Sequence, residues 1–135
     1  FVLRRRVAIY KSRGRYQNAI KALNDYLSEY MSDPDAYQEL LNIYLDQNEY
    51  KKAAFCAEEL ILSNPHNYLY MLQYAEILYT MGDYKLARKY FCESLNLNKE
   101  NNMRALYGLL LVKNFIYNSN NLNRLQIVYL VAKIK

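Results

Sequence analysis

Residues 33–65, DPDAYQELLNIYLDQNEYKKAAFCAEELILSNP, predict two amphipathic helices joined by a tight turn and followed by a proline. Apolar side chains recur every three or four residues in each half, which is the spacing that lines one face of a helix. Asp33 suits the N-cap, where its carboxylate accepts a bond from a free backbone N–H, and Pro34 suits the first helical position. We therefore expect this stretch to form a helical hairpin.

The same pattern recurs before and after this stretch with a period of 34 residues. Three sets of positions keep the period: Tyr16, Tyr50 and Tyr84; Ala19, Ala53 and Ala87; and the turn residues Gly14, Asn48 and Gly82. Glycine and asparagine are the residues that tolerate the left-handed backbone at a helix end. A period of about 34 residues is typical of a tetratricopeptide (TPR) array, in which each helix pair buries its apolar face against a neighbour. The expected fold is all-α, a right-handed α-solenoid of antiparallel helix pairs.

The period divides the chain into one domain of four repeats. The expected bounds are about 1–31, 33–65 and 67–98, followed by a degenerate fourth repeat or capping helix at about 101–135. In this last part we expect a helix over 103–115, a polar turn at 117–121, and a basic helix from Leu122 whose apolar face requires a cover. Capping of the array is the main interpretation of that helix, and a membrane-surface helix is the alternative. Phe1 falls within a helical pattern, which indicates a fragment of a longer chain.

Residues that carry chemistry are scarce. Cys56 and Cys92 have no partner at metal-binding spacing and are expected to be reduced thiols in helix cores, with a disulfide as the minor alternative. His66 is expected to be exposed in a turn. The chain has no catalytic triad pattern and no glycine-rich phosphate loop. Its longest apolar run, 105–112, is far shorter than the roughly 20 residues that cross a bilayer. We therefore predict a soluble protein that is not an enzyme and has no cofactor or metal.

The net charge of +5 is unevenly distributed. Six basic residues lie in the first fifteen positions and four follow Val112, whereas all 13 acidic residues lie between them. Such basic ends can contact RNA or anionic lipid head groups, although a solvated helix face is the simpler interpretation.

With catalysis and cofactor binding excluded, we expect the chain to bind a partner protein. In TPR arrays the first helix of each pair lines the concave face, and the period assigns eleven residues to that groove. They are Gln38, Asn42, Leu45, Asp46, Leu69, Leu72, Glu76, Tyr79, Met103, Leu106 and Leu110. The groove becomes apolar towards its C-terminal half and lacks the lysines and arginines that hold the carboxylates of acidic chaperone tails. It suits a partner helix or an extended hydrophobic segment.

Five strings exceed what a generic repeat requires. They are AAFCxEEL at 53–60, NPHNxLY at 64–70, QYAExxYTxG at 73–82, RKYF at 88–91 and NxRALYGL at 102–109. In these strings the chain resembles the subunit 2 family of the endoplasmic reticulum (ER) membrane protein complex. The resemblance covers about residues 7–111 and does not extend to the last helix.

The resemblance implies a TPR scaffold at the cytosolic face of the ER membrane. It also implies membership of a complex that inserts tail-anchored and other transmembrane segments. In that complex, subunit 2 holds together cytosolic segments of membrane subunits and a second soluble subunit. We therefore expect a peripheral membrane protein that binds no nucleic acid. A generic co-chaperone adaptor and an RNA-associated helical repeat protein are the alternatives.

Overall fold

The computed structural model describes residues 2–134, and the side chains of residues 2–120. All regular structure in this part of the chain is helical, as expected for an all-α TPR fold. The seven helices are α1 (Val2–Ser12), α2 (Tyr16–Glu29), α3 (Pro34–Asp46), α4 (Tyr50–Ser63), α5 (Tyr68–Met81), α6 (Tyr84–Leu97) and α7 (Met103–Ile134). The chain divides after Tyr70 into two compact units.

The turns between the first six helices have the predicted chemistry. Gly14, Asn48 and Gly82 have φ angles of +67°, +57° and +88°, which confirms the predicted left-handed turns. The Asp33 carboxylate accepts a hydrogen bond of 3.0 Å from the backbone N–H of Asp35, and Pro34 opens α3 as predicted. Asp83 caps α6 in the same way, with a bond of 3.2 Å from the N–H of Leu86. Local sequence therefore specifies these helix boundaries.

The first unit contains two helix pairs, α1 with α2 and α3 with α4. The small residues Ala19 and Ala53 are fully buried at the recurring positions, so the helices approach closely around Leu23, Leu41 and Leu60. Charged side chains join α1 to α3 at the surface: Arg4 pairs with Asp35, and Lys11 lies 3.5 Å from Glu39. Tyr26 on α2 donates a 2.8 Å hydrogen bond to Asp33. Apolar packing therefore forms each pair, and polar contacts link one pair to the next.

In the second unit, α6 contacts both α5 and α7. The rings of Tyr74 and Tyr90 meet edge to face at 4.6 Å between α5 and α6. Ala105 and Val112 are fully buried on α7. The buried Asn102 side-chain amide donates to the backbone oxygen and to Oγ of Ser94, at 3.1 and 2.8 Å, and its oxygen caps α7 through the Ala105 N–H at 3.3 Å. One asparagine therefore both starts α7 and fixes it to α6.

The predicted turn at 117–121 is wrong, because α7 continues through it as a single helix of 32 residues. No glycine or proline occurs after Gly108, and asparagine costs a helix only about 0.7 kcal/mol relative to alanine. Polar composition alone therefore does not end this helix. The apolar face predicted from Leu125, Ile127, Val128, Leu130, Val131 and Ile134 lies outside the described side chains.

The two cysteines occupy different environments. Cys56 is buried as predicted, and burial raises the pKa of its thiol to about 12. Cys92 is exposed, so its predicted place in a core is wrong. At 100° per residue it is turned away from its buried neighbour Phe91.

His66 is exposed in the turn between α4 and α5, as predicted. Across the described residues, no group of histidine, cysteine and acidic side chains is arranged to bind a metal ion. No helix in this part of the chain has both the length and the apolar composition that crossing a membrane requires.

Candidate binding cleft

A cleft of about 610 Å³ lies between α5 and α7 in the second unit, with α6 beneath it. We call it the α5–α7 cleft. Its lining residues come from three helices: Glu76, Tyr79 and Thr80 of α5, Phe91 of α6, and Met103, Arg104, Tyr107, Gly108 and Leu111 of α7. The volume falls within the range of ordinary ligand pockets, so the cleft can accommodate several side chains of a partner.

The floor of the cleft depends on one glycine. A Cβ atom on Gly108 would lie 2.5 Å from two ring atoms of Phe91, which is far inside the van der Waals distance. Because glycine has no Cβ, the ring can lie directly against α7 and is only 2 % exposed. The Gly108–Phe91 contact therefore sets the distance between α6 and α7 below the cleft.

A bidentate ion pair crosses one rim. The guanidinium of Arg104 on α7 donates to both carboxylate oxygens of Glu76 on α5, with N···O distances of 2.8, 2.8 and 3.1 Å. This fork geometry fixes orientation as well as distance. The two charges neutralise each other, so the surface left for a ligand is mainly apolar.

Three aromatic rings join α7 to α5 and to the start of α6. Tyr84 stacks on Phe115 with ring centroids 4.5 Å apart. Tyr79 meets Tyr84 and Phe115 edge to face at 5.3 and 6.2 Å. Such pairs contribute about 0.5–1.5 kcal/mol each beyond their buried area. They hold in place the two helices that form the walls of the cleft.

The structure brings together three of the predicted groove residues, Glu76, Tyr79 and Met103, in this cleft. Leu106 and Leu110 are exposed on α7 outside the lining. Leu72 is only 1 % exposed, so its assignment to the groove is wrong. It precedes the buried residue Ala75 by three positions and therefore shares the core face of α5.

The remaining predicted groove residues lie in the first unit. Gln38 donates a weak 3.4 Å hydrogen bond to Asn42 one turn later on α3. Leu45 is half-buried and Asp46 exposed at the end of the same helix. Leu69 is exposed near the start of α5.

Sequence reasoning missed six lining residues: Thr80, Phe91, Arg104, Tyr107, Gly108 and Leu111. Tyr107 and Leu111 follow Met103 by four and eight positions, so helical spacing would have found them. Phe91 lines the cleft because α6 contacts α7, and the sequence of neither helix alone predicts that contact.

Comparison with known proteins identifies the family. Residues 1–95 match the family model described as the EMC2 TPR-like repeat domain. The ER membrane protein complex subunit 2-A of Xenopus laevis is 50 % identical over 109 residues, covering 78 % of this chain and 36 % of that protein. Subunit 2 of the complex from Dictyostelium discoideum is 34 % identical over 107 residues, covering 77 % and 33 %. The chain thus spans about a third of the length of the curated relatives it matches.

The fold has relatives among solved structures. The crystal structure of the Sgt2 TPR domain from Aspergillus fumigatus matches with a TM-score of 0.71 at 21 % identity, over 88 % of this chain and 80 % of that domain. At this identity the match shows a TPR fold and nothing more specific. The family model is more specific, and it covers well over half of the chain. The protein therefore belongs to the EMC2 TPR-like repeat family.

Proposed function

We propose that this chain is a non-catalytic scaffold segment of subunit 2 of the ER membrane protein complex. In this proposal it lies at the cytosolic face of the ER membrane, without spanning it. It organises the cytosolic part of a complex that inserts tail-anchored and multipass membrane proteins. The observation that carries the proposal is the 50 % identity to the Xenopus laevis subunit over 78 % of the chain.

The α5–α7 cleft supports the proposal because its chemistry suits a protein segment. Met103 is 72 % exposed and Tyr107 65 % exposed at its edge, while Phe91 forms an apolar floor. An exposed apolar surface in a groove is the usual mark of a protein interaction site. The proposed partners are cytosolic segments of membrane subunits and a second soluble subunit.

In each unit, the proposed contact residues also include the exposed or half-buried residues predicted from the repeat period. These are Gln38, Asn42, Leu45, Asp46 and Leu69 in the first unit, and Glu76, Tyr79, Met103, Leu106 and Leu110 in the second. Leu72 is left out because it is buried.

Two observations make the alternatives weaker. Among the described residues, Arg104 is the only cation that lines the α5–α7 cleft. Glu76 holds it, so this described lining leaves no free cation for the carboxylates of a chaperone tail. Arg4 and Lys11 of the basic first helix are paired with Asp35 and Glu39, which reduces the charge left for RNA.

The test is affinity purification of the full-length protein from its own cells in mild detergent, with quantitative mass spectrometry. We expect several membrane-spanning subunits at a fixed ratio. A Met103→Asp/Tyr107→Asp variant should lose part of this set, because it places two carboxylates at the edge of the cleft. Leu97→Asp is the matched control, since Leu97 is exposed in the same unit and lines no described cleft. Recovery of only soluble chaperones or ribonucleoproteins would overturn the proposal.

A further inference from the structure

A second cleft of about 470 Å³ lies on another side of α7, between α6 and α7. We call it the α6–α7 cleft. Leu109, Ile116 and Tyr117 of α7 give it an apolar wall, and Arg88 and Cys92 of α6 form the opposite side. It shares no lining residue with the α5–α7 cleft.

Within the described residues, α7 is not paired with a following helix. In the first unit α1 is followed by α2 and α3 by α4, so each first helix has its pair mate. The chain of α7 does not turn back but continues as one helix to Ile134. Its residues 109, 113, 116, 117 and 120 fall at spacings of three and four along one stripe beside α6. The apolar stripe of α7 and the facing side of α6 form a groove that suits a third helix.

The charges of the cleft select the kind of helix. Arg88 and Lys113 are both exposed in its lining, whose described residues include no acidic side chain. Among the described residues neither cation forms an ion pair, whereas Arg104 of the α5–α7 cleft is neutralised by Glu76. Complementary charge favours a segment that carries carboxylates beside its apolar side chains.

The same charges argue against the C-terminal segment of a second copy as the occupant. Residues 121–135 include Arg124, Lys133 and Lys135 but no aspartate or glutamate. Placing these cations near Arg88 and Lys113 would be repulsive. An acidic segment of a different protein has the complementary chemistry.

We propose that the α6–α7 cleft is a docking site for an amphipathic helix of a partner protein. Its apolar side chains pack against Leu109 and Ile116, and its aspartate or glutamate residues lie opposite Arg88 and Lys113. The site lies outside the groove proposed above, and the proposal does not depend on which complex contains the chain.

The test uses the whole 135-residue chain and a defined probe. The probe is a fluorescent synthetic helix of about 18 residues, five turns long, with leucines on one face and glutamates beside them. A matched peptide carries lysine in place of every glutamate. Anisotropy gives the affinity, and the rate of iodoacetamide modification at Cys92 reports occupancy, because Cys92 lies in the cleft and Cys56 is buried.

We expect the glutamate peptide to bind more tightly than the lysine peptide and to slow Cys92 modification. Arg88→Glu/Lys113→Glu should weaken the glutamate peptide by roughly tenfold or more and strengthen the lysine peptide, since each reversal replaces attraction by repulsion. Lys85→Glu/Lys99→Glu is the matched control, because it changes the net charge equally at exposed lysines outside the cleft. Circular dichroism checks that both variants fold. In the unsubstituted chain, a bulky maleimide on Cys92 should also block the glutamate peptide.

Equal binding of the two peptides, or an affinity unchanged by the charge reversals, would overturn the proposal. So would a dimer that protects Cys92 without peptide, since the occupant would then be a second copy. Binding to vesicles containing phosphatidylserine, lost in Arg88→Glu/Lys113→Glu while no peptide binds, would assign the cleft to a membrane surface instead. None of these results bears on the co-purification test, which changes Met103 and Tyr107.

Discussion

The ring of Phe91 lies 2.5 Å from the point that a Cβ atom on Gly108 would occupy. No side chain at position 108 can share that space with the ring. The approach of α6 and α7 therefore depends on a residue that contributes no side-chain contact of its own.

Gly108→Ala should destabilise the protein by up to about 2 kcal/mol, because overpacking costs about 1–3 kcal/mol and alanine recovers only roughly 1 kcal/mol through its higher helix propensity. The measurement is the urea midpoint by circular dichroism. Asn118→Ala, an exposed site on the same helix, is the control and should be neutral or slightly stabilising. If Gly108→Ala is as stable as the parent, the Phe91 ring can move aside. Combining it with Phe91→Leu should recover part of the loss.

Asn102→Ala should cost about 1–3 kcal/mol, since it removes a helix cap and the buried bonds to Ser94. Asn101→Ala, next to it but exposed, should change stability little. Thermal unfolding of the two variants side by side makes the comparison. Similar melting temperatures would show that the buried amide contributes no net stability.

Asn48→Gly should be tolerated, whereas Asn48→Ala should cost about 1–2 kcal/mol, because φ at this position is +57° and alanine is strained there. Chemical denaturation of both variants measures the difference. Gln47→Ala, one residue earlier with a negative φ, is the control. An alanine variant as stable as the glycine variant would contradict the argument from backbone strain.

Cys92 should react with iodoacetamide in the folded chain while Cys56 does not, because burial raises the Cys56 pKa to about 12 and blocks access. Mass spectrometry of timed samples distinguishes the two sites. Rapid modification of Cys56 under native conditions would mean that the first unit opens.

The same pKa gives a pH dependence of stability. The pKa of the Cys56 thiol is near its ordinary value of 9.0 in the unfolded chain and about 12 in the folded chain, so folding favours the neutral form. The contribution of this thiol to the free energy of unfolding is fully present below about pH 9 and is lost as the pH rises towards 12. Cys56→Ala should show a smaller fall in stability over this interval, measured by denaturation at several pH values. An identical fall would assign the pH dependence to other groups.

The helix pattern was predictable because its signals are local. The left-handed turns at Gly14, Asn48 and Gly82 and the cap at Asp33 depend on residues within one turn of each other. The helical structure of residues 117–121 was not predictable from their polarity, since a segment rich in asparagine but without glycine or proline is compatible with a helix.

The binding surface was less predictable because it depends on contacts between helices. Repeat spacing identified Glu76, Tyr79 and Met103 but also selected Leu72, which the neighbouring helices bury. Phe91 reaches the cleft floor only because Gly108 faces it from another helix. The exposure of Cys92 likewise depends on what packs beside α6.

The ion pairs between alternate helices have a mechanical consequence. Arg4 with Asp35, Lys11 with Glu39, and Arg104 with Glu76 each join helices two apart in the chain, α1 to α3 or α5 to α7. Each helix hairpin is held by apolar contacts that salt does not screen, whereas these ion pairs are exposed or half-buried at the surface and weaken as ionic strength rises. We therefore expect the contacts between neighbouring helix pairs to loosen as salt is added, while each hairpin stays folded. The flexibility within each unit should then increase with ionic strength.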